Sequence, residues 1–376
     1  MIREREDEFR DLNSPGAFGD KLAFLHGRLR HRYAFIERVS VALYDAKTDL
    51  LKTYASSSDT PSPLTFYQSP LANSPTLLEI IHSGMTRVVN DMAVFAASGS
   101  HHAQALKSEG FQASYTVPLF AEGEFIGFVF FNSRLKQVFS PAVLSDCDMV
   151  AHLVGLLLAR EVSVSNLLQA TVKSALSFTR HRDPETAGHL DRMSRYARLV
   201  ARAVAPAYGL DDVFVESVFL FSPVHDIGKI SVPDHILLKQ GPLTAGEYEE
   251  MKQHTRQGAE IVDKVVENYK LGKVQDIQLL RNIVLYHHEN YDGSGYPEGL
   301  SGEAIPLEAR IVAVGDVFDA LTSNRVYKDA WDNDRAFKFL QVQVGIKFDP
   351  ACVSAMVDNR AEVETIQQQF QESFWL

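Results

Sequence analysis

The sequence predicts two folded parts of different class, a mixed α+β domain and an all-helical bundle, joined by a long helix. From about Phe18 to about Arg134, short apolar runs alternate with polar positions and come in pairs around turn residues. From Ser140-Pro141 to about Phe178 no glycine or proline intervenes except Gly155, and apolar residues recur throughout. Beyond Lys173 helical sequence dominates and no convincing alternating strand follows.

In chain order, Val39-Ser40-Val41-Ala42-Leu43-Tyr44 alternates as a half-buried strand does, residues 45–49 read as a turn, and Leu50-Leu51-Lys52-Thr53-Tyr54 returns. A second pair, Ser114 to Phe120 and Glu124 to Phe131, flanks Ala121-Glu122-Gly123, whose glycine suits a turn. Ser140 can cap a helix and Pro141 is pre-shaped for its first turn. Val143, Leu144, Val150, Leu153, Val154, Leu157, Leu158, Val162, Val164, Leu167, Leu168 and Val172 then give that helix, or two in series, an apolar face. Such a face suits a homodimer whose paired helices carry a signal; the alternative is packing on the chain's own domains. Turn signals at Asp183-Pro184, Tyr208-Gly209, Gly241-Pro242 and Asp292 to Pro297 divide the remainder into helices. The expected divisions are an extension over 1–17, a mixed domain over 18–139, a linker helix over 140–172 and a helical domain over 173–376.

The composition is that of a globular chain, with 376 residues, 45% hydrophobic and 23% charged. Residues 1–8 are charged almost throughout and carry no apolar core of a secretion or transit signal. The longest apolar run, Met149 to Ala159, is short for a bilayer and includes His152, so no membrane association is expected. Cys147 and Cys352 suggest no disulfide framework, and the chain reads as cytoplasmic. A net charge of −11 argues against DNA or broad nucleic-acid binding. An anionic substrate must then be met locally, by metal ions and a few placed basic residues.

His287-His288-Glu289 runs into the glycine-rich stretch Asn290 to Pro297. Adjacent helical positions point about 100° apart, so His287 and His288 are expected to face two neighbouring ions rather than one compact tetrahedral ion. Glu185 and His189 stand four apart, on one face if helical. His225-Asp226 offers an imidazole beside a carboxylate able to bridge two cations, and His254 and Asp316 complete the candidate ligands. Seven of the 13 histidines fall between His181 and His288, with no cysteine among them. Imidazole and carboxylate without thiolate suit iron, manganese or catalytic zinc. Asp226 is the candidate bridge, and Lys229 could reach a non-bridging phosphate oxygen.

These residues carry a resemblance to the HD-GYP phosphodiesterases of the HD superfamily. It stands on Arg182-Asp183-Pro184-Glu185-Thr186-Ala187-Gly188-His189, His225-Asp226-Ile227-Gly228-Lys229-Ile230, His254, the HHE and GYP stretch, Ala309-Arg310-Ile311, Asp316 to Ser323 and Phe348-Asp349-Pro350. The resemblance implies hydrolysis of cyclic di-GMP by two or three divalent ions, iron or manganese, on a helical fold. It implies a third ion where Glu185 is present, and substrate contacts from Arg325, Lys328 and Asp319. Tyr296 and Pro297 would edge the site, and the loop that carries them is also a candidate surface for protein partners. His181 and His235 have no counterpart as ligands. Ser222-Pro223-Val224 departs from the usual aliphatic run, and a proline there should interrupt the helix ahead of the ligand pair. Val326 and Lys328 also depart; all three bear on rate or substrate preference.

The hairpin with Val117-Pro118-Leu119 and Ile126-Gly127-Phe128 resembles the late strands of GAF sensory domains, which implies a central antiparallel sheet. His82, His101 and His102 read as surface histidines rather than cofactor ligands. Two functions remain open: an enzyme gated by the sensor, acting on cyclic di-GMP or another cyclic dinucleotide, and a receptor with slight or absent turnover.

Overall fold

The computed structural model describes residues 7–14, 16–59, 64–95, 101–178, 187–268, 276–323 and 330–370, in two compact units. The first runs to Val164 with Asp211–Val213, and the second holds Ser165–Leu210 and Phe214 onward.

One antiparallel sheet forms the first unit. Its strands are β1 (Arg38–Asp45), β2 (Leu50–Ser58), β3 (Gln68–Pro70), β4 (Arg87–Val89), β5 (Ala113–Ala121) and β6 (Glu124–Ser133), in the order β3-β2-β1-β6-β5-β4. Both expected hairpins are present. β5 and β6 close at the Ala121 and Glu124 pair, and the two residues between them, Glu122 and Gly123, take φ of 51° and 87°. That left-handed pair matches the twist of the strands it joins.

Helices α1 (Phe18–Arg32), α2 (Pro75–Ser83), α3 (His101–Ser108) and α4 (Pro141–Phe178) flank the sheet. The strand period of two sorts the residues of β6. Val129 and Phe131 enter the core shared with Leu22 and Leu25 of α1 and Cys147 and Val154 of α4, while Phe128 and Phe130 pack with Leu77 and Ile80 of α2.

The long helix is single rather than two in series. Pro141–Ser163 is long and apolar enough to cross a membrane, and within it Val143, Cys147, Val150, Ala151, Val154 and Leu158 are buried in the sheet's core. Met149 and Leu156 stay exposed. The expected apolar positions Val164, Leu167, Leu168 and Val172, like His101 and His102, lie outside the described side chains.

The second unit is helical: α5 (Ala187–Val204), α6 (Asp212–Phe221), α7 (Asp234–Leu237), α8 (Ala245–Lys252), α9 (His254–Asn268), α10 (Asp276–Tyr286), α11 (Leu307–Thr322), α12 (Asn333–Val342), α13 (Pro350–Asp358) and α14 (Arg360–Gln369). Among the described residues it contains no strand, only an isolated bridge between Val344 and Phe348. α5 packs on α11, with the Tyr196 and Phe318 rings 5.5 Å apart at 88°. Local sequence fixes the helix ends. Thr244 and Glu247 cap α8 reciprocally, and Asp349 accepts from the N–H groups of Ala351 and Cys352 at the start of α13. α6 stops at Phe221, where Pro223 opens a 3-10 turn over Ser222–Val224. His225 and Asp226 therefore sit in an irregular link, followed by a second 3-10 turn, Ile227–Ser231.

Candidate metal centre

Seven of the expected ligands converge. Asp226, His254, His287 and His288 form one group and His189, His225 and Asp316 another, with ligand atoms within 4.8 Å of each other inside each group. The groups adjoin at the link between α6 and α7: His225 Nε2 lies 3.3 Å from Asp226 Oδ2 and 3.8 Å from Asp316 Oδ1. Asp226 Oδ1 faces the other way, 3.2 Å from His254 Nε2 and 3.6 Å from His287 Nε2. One carboxylate thus addresses both groups, as a bridging ligand must.

His287 and His288 follow α10 rather than lying in it, since that helix ends at Tyr286. The 100° separation expected from helical geometry does not apply. The two rings sit 4.1 Å apart, and both reach the Asp226 and His254 group.

The backbone fixes which nitrogen each imidazole offers. His225 Nδ1 donates to the Ser222 carbonyl at 2.9 Å, His254 Nδ1 to Met251 at 2.7 Å, and His287 Nδ1 to Ile283 at 3.0 Å. His189 Nδ1 donates to Asp319 Oδ2 at 2.8 Å. With Nδ1 protonated, the neutral ring turns the Nε2 lone pair toward the site, as a metal-ligating histidine does. His254 Nε2 and His287 Nε2 are buried and make no hydrogen bond. Buried lone pairs of this kind, turned toward a shared carboxylate with no hydrogen bond made to them, fit divalent cations.

The charges agree. Burial alone would raise the Asp226 pKa, and the Lys229 ammonium, 2.6 Å away, leads the groups that hold the carboxyl well below its ordinary range. Burial lowers His287 and, together with His287 and His254, pushes His288 down further. A carboxylate and neutral imidazoles are the protonation states that bind metal.

Two glycines permit the assembly. A Cβ on Gly228 would lie 1.8 Å from the His254 carbonyl oxygen, so the link carrying Asp226 can approach α9 only as glycine. A Cβ on Gly295 would lie 2.2 Å from the Asn290 nitrogen, inside the loop after His288. Glu289, buried, holds that loop by accepting from the N–H groups of Glu298, Gly299 and Leu300 at 2.7, 3.1 and 3.1 Å.

Comparison with known proteins bears on this geometry. A family model described as "HD domain" matches residues 183–352. Those residues are an HD domain. The cyclic di-GMP phosphodiesterase response regulator RpfG of Xanthomonas campestris is 46% identical over 214 residues, 57% of this chain and 54% of that protein. A cyclic di-GMP phosphodiesterase of Vibrio cholerae is 35% identical over 63% of this chain and 49% of its own length. The 3'3'-cGAMP-specific phosphodiesterase 2 of Vibrio cholerae is 37% identical over 47% of this chain and 32% of its own length. The chain spans about half the length of the first two. Among solved structures, a GAF domain from a Coxiella burnetii phosphotransferase aligns at 14% identity and TM-score 0.35, over 42% of this chain and 92% of its own.

Within the HD domain the remaining expected residues take different places. Glu185, Arg325 and Lys328 lie outside the described residues. The Tyr296 ring rests 4.9 Å from the His288 ring, and the Pro297 carbonyl accepts from Arg256 at 3.0 Å. Asp319 is not at the substrate edge, contrary to the contact that the resemblance implies. It is fully buried, and its oxygens are taken by His189, by Arg192 at 2.6 and 2.9 Å, and by Ser323 Oγ at 3.1 Å. It braces a candidate ligand, His189, instead. The sequence reading missed Arg192, although it stands three residues after His189 and so shares its helix face.

Proposed function

We propose that the HD domain is a metal-dependent phosphodiesterase that hydrolyses cyclic di-GMP to pGpG or GMP, with 3'3'-cGAMP the next candidate. The observation that carries this is Asp226, which turns one oxygen to His225 and the other to His254 and His287 while Lys229 touches it. His189, His225, Asp226, His254, His287, His288 and Asp316 would hold two ions and Glu185 a third, with iron preferred over manganese. Bound ions would supply a hydroxide near neutral pH and a clamp on the phosphodiester. Asp226 would bridge them, and Lys229 beside it favours the charged carboxylate that such a role needs. The Lys229 ammonium sits where it can pass from Asp226 to a phosphate oxygen and offset charge that builds during attack. Relatives named for two cyclic dinucleotides support the substrate class.

In the same reading the first unit gates the enzyme and α4 pairs with its copy in a homodimer, although Val143, Val150, Val154 and Leu158 of the expected face are buried in this chain's own core and Met149 and Leu156 are the exposed apolar residues of the helix. The test is turnover of cyclic di-GMP by protein purified without oxygen and loaded with iron or manganese, with products separated by chromatography. Loaded protein that binds the dinucleotide but releases no pGpG or GMP would make the domain a receptor.

A further inference from the structure

We infer that Tyr248 and Lys252 of α8 form, with Tyr296, a subsite for a purine base of the substrate at the open side of the metal centre. The inference rests on the proposed cleavage of a cyclic dinucleotide.

Tyr248 and Lys252 stand four apart on one face of α8, whose start is fixed by the Thr244 and Glu247 caps. Tyr248 is 46% exposed, so its side chain is open to a ligand from solvent. It meets the Tyr296 ring at 6.4 Å and 82°, and Tyr296 in turn lies 4.9 Å from the His288 ring and 6.4 Å from that of His254. An aromatic wall therefore runs from two candidate metal ligands out to solvent. Lys252 Nζ stands 4.8 Å from the centre of the Tyr248 ring and 5.6 Å from that of Tyr296, held by exposed Glu249 at 2.6 Å.

The chemistry selects a purine. A nucleotide whose phosphate is held at the ligands carries its base one ribose away, and Tyr248 lies one ring beyond Tyr296. A base offers a π-face to stack on tyrosine, and guanine presents N7 and O6 acceptors to an ammonium. The same ammonium favours the electron-rich ring it covers.

The test uses the metal-loaded full chain and a cyclic di-GMP analogue with one guanine replaced by 2-aminopurine, whose emission is quenched by stacking. Binding to the wild type should quench it. Tyr248→Ala should lose the quench and raise KM for cyclic di-GMP about ten- to a hundred-fold, with metal content retained and kcat changed far less than KM. Tyr248→Leu, which keeps an apolar side chain on α8, should behave like the alanine variant, and Tyr248→Phe should restore both readouts. Lys252→Gln should raise KM with the quench intact. Wild-type quench and KM in Tyr248→Ala would overturn the subsite alone, as would a parallel loss of kcat and metal. Wild-type protein that neither binds nor cleaves the dinucleotide would overturn the hydrolase reading and the subsite with it.

Discussion

Asp319 grips two residues of α5 at once, taking Nδ1–H of His189 at 2.8 Å and a two-pronged bond from Arg192 at 2.6 and 2.9 Å. A carboxylate behind a histidine fixes ring orientation and makes the exposed nitrogen a better ligand. Asp319→Asn is therefore expected to weaken metal binding about 10- to 100-fold and to cost roughly 1–3 kcal/mol of stability, because the buried guanidinium loses its counter-charge. Metal retention against a graded chelator, with thermal unfolding alongside, checks this. Intact metal content with a raised KM would return Asp319 to the substrate.

The bridging geometry ranks three other residues. His225→Ala or Asp226→Ala should abolish hydrolysis and lower bound metal, since each removes a ligand atom from the junction of the two groups. Tyr296→Phe should retain part of the activity, because the ring against His288 remains and only a hydroxyl is lost. Steady-state rates and metal analysis on all three variants decide the matter; equal losses would refute the ranking.

Glu185 separates a third ion from the other two. Glu185→Ala should lower the bound-metal count by about one and reduce activity, with the site of His225, Asp226 and Asp316 still able to load. An acidic residue near a helix start contributes only about 0.3–1 kcal/mol through the dipole, so the melting temperature should barely move. Lowered stability at unchanged metal content would make Glu185 structural.

His26 predicts a pH dependence in the first unit. It is buried, with Nε2–H donating to the Ile36 carbonyl at 2.9 Å and Nδ1 accepting from the Ser57 hydroxyl at 2.8 Å, and burial lowers its pKa. The unfolded chain takes a proton near pH 6.5 and the folded chain only below that. Stability is thus full above about pH 6.5 and falls as the pH drops toward the folded pKa, by up to about 1.4 kcal/mol per unit. Urea titrations from pH 8 to 5 should show the decline in wild type and a flatter profile in His26→Gln.

The two hairpins, the long helix and the helical second part are legible in the sequence because period and turn chemistry are local properties. So are the candidate ligands that converge, since histidines and aspartates come in adjacent pairs and fixed spacings. The angle between His287 and His288 was not legible, because it depends on α10 ending at Tyr286 rather than continuing. Nor was the burial of Asp319, which follows from the packing of α5 on α11 and the arrival of Arg192. The aromatic wall is a product of tertiary structure altogether: Tyr248 and Tyr296 are far apart in the chain and meet only when α8 lies beside the loop.

Gly228 brings main chain against main chain, with no side chain between the Asp226 link and the carbonyl of His254. The main chain of the Asp226 link is consequently held at contact distance from the main chain at His254, and repacking of neighbouring side chains does not tune that approach. Tyr248 of α8, in the proposed base subsite, is half-exposed and free of that constraint. On the proposed reading, substitutions on α8 would alter substrate preference without touching the close approach at Gly228, so drift in selectivity and loss of chemistry would be separate evolutionary events.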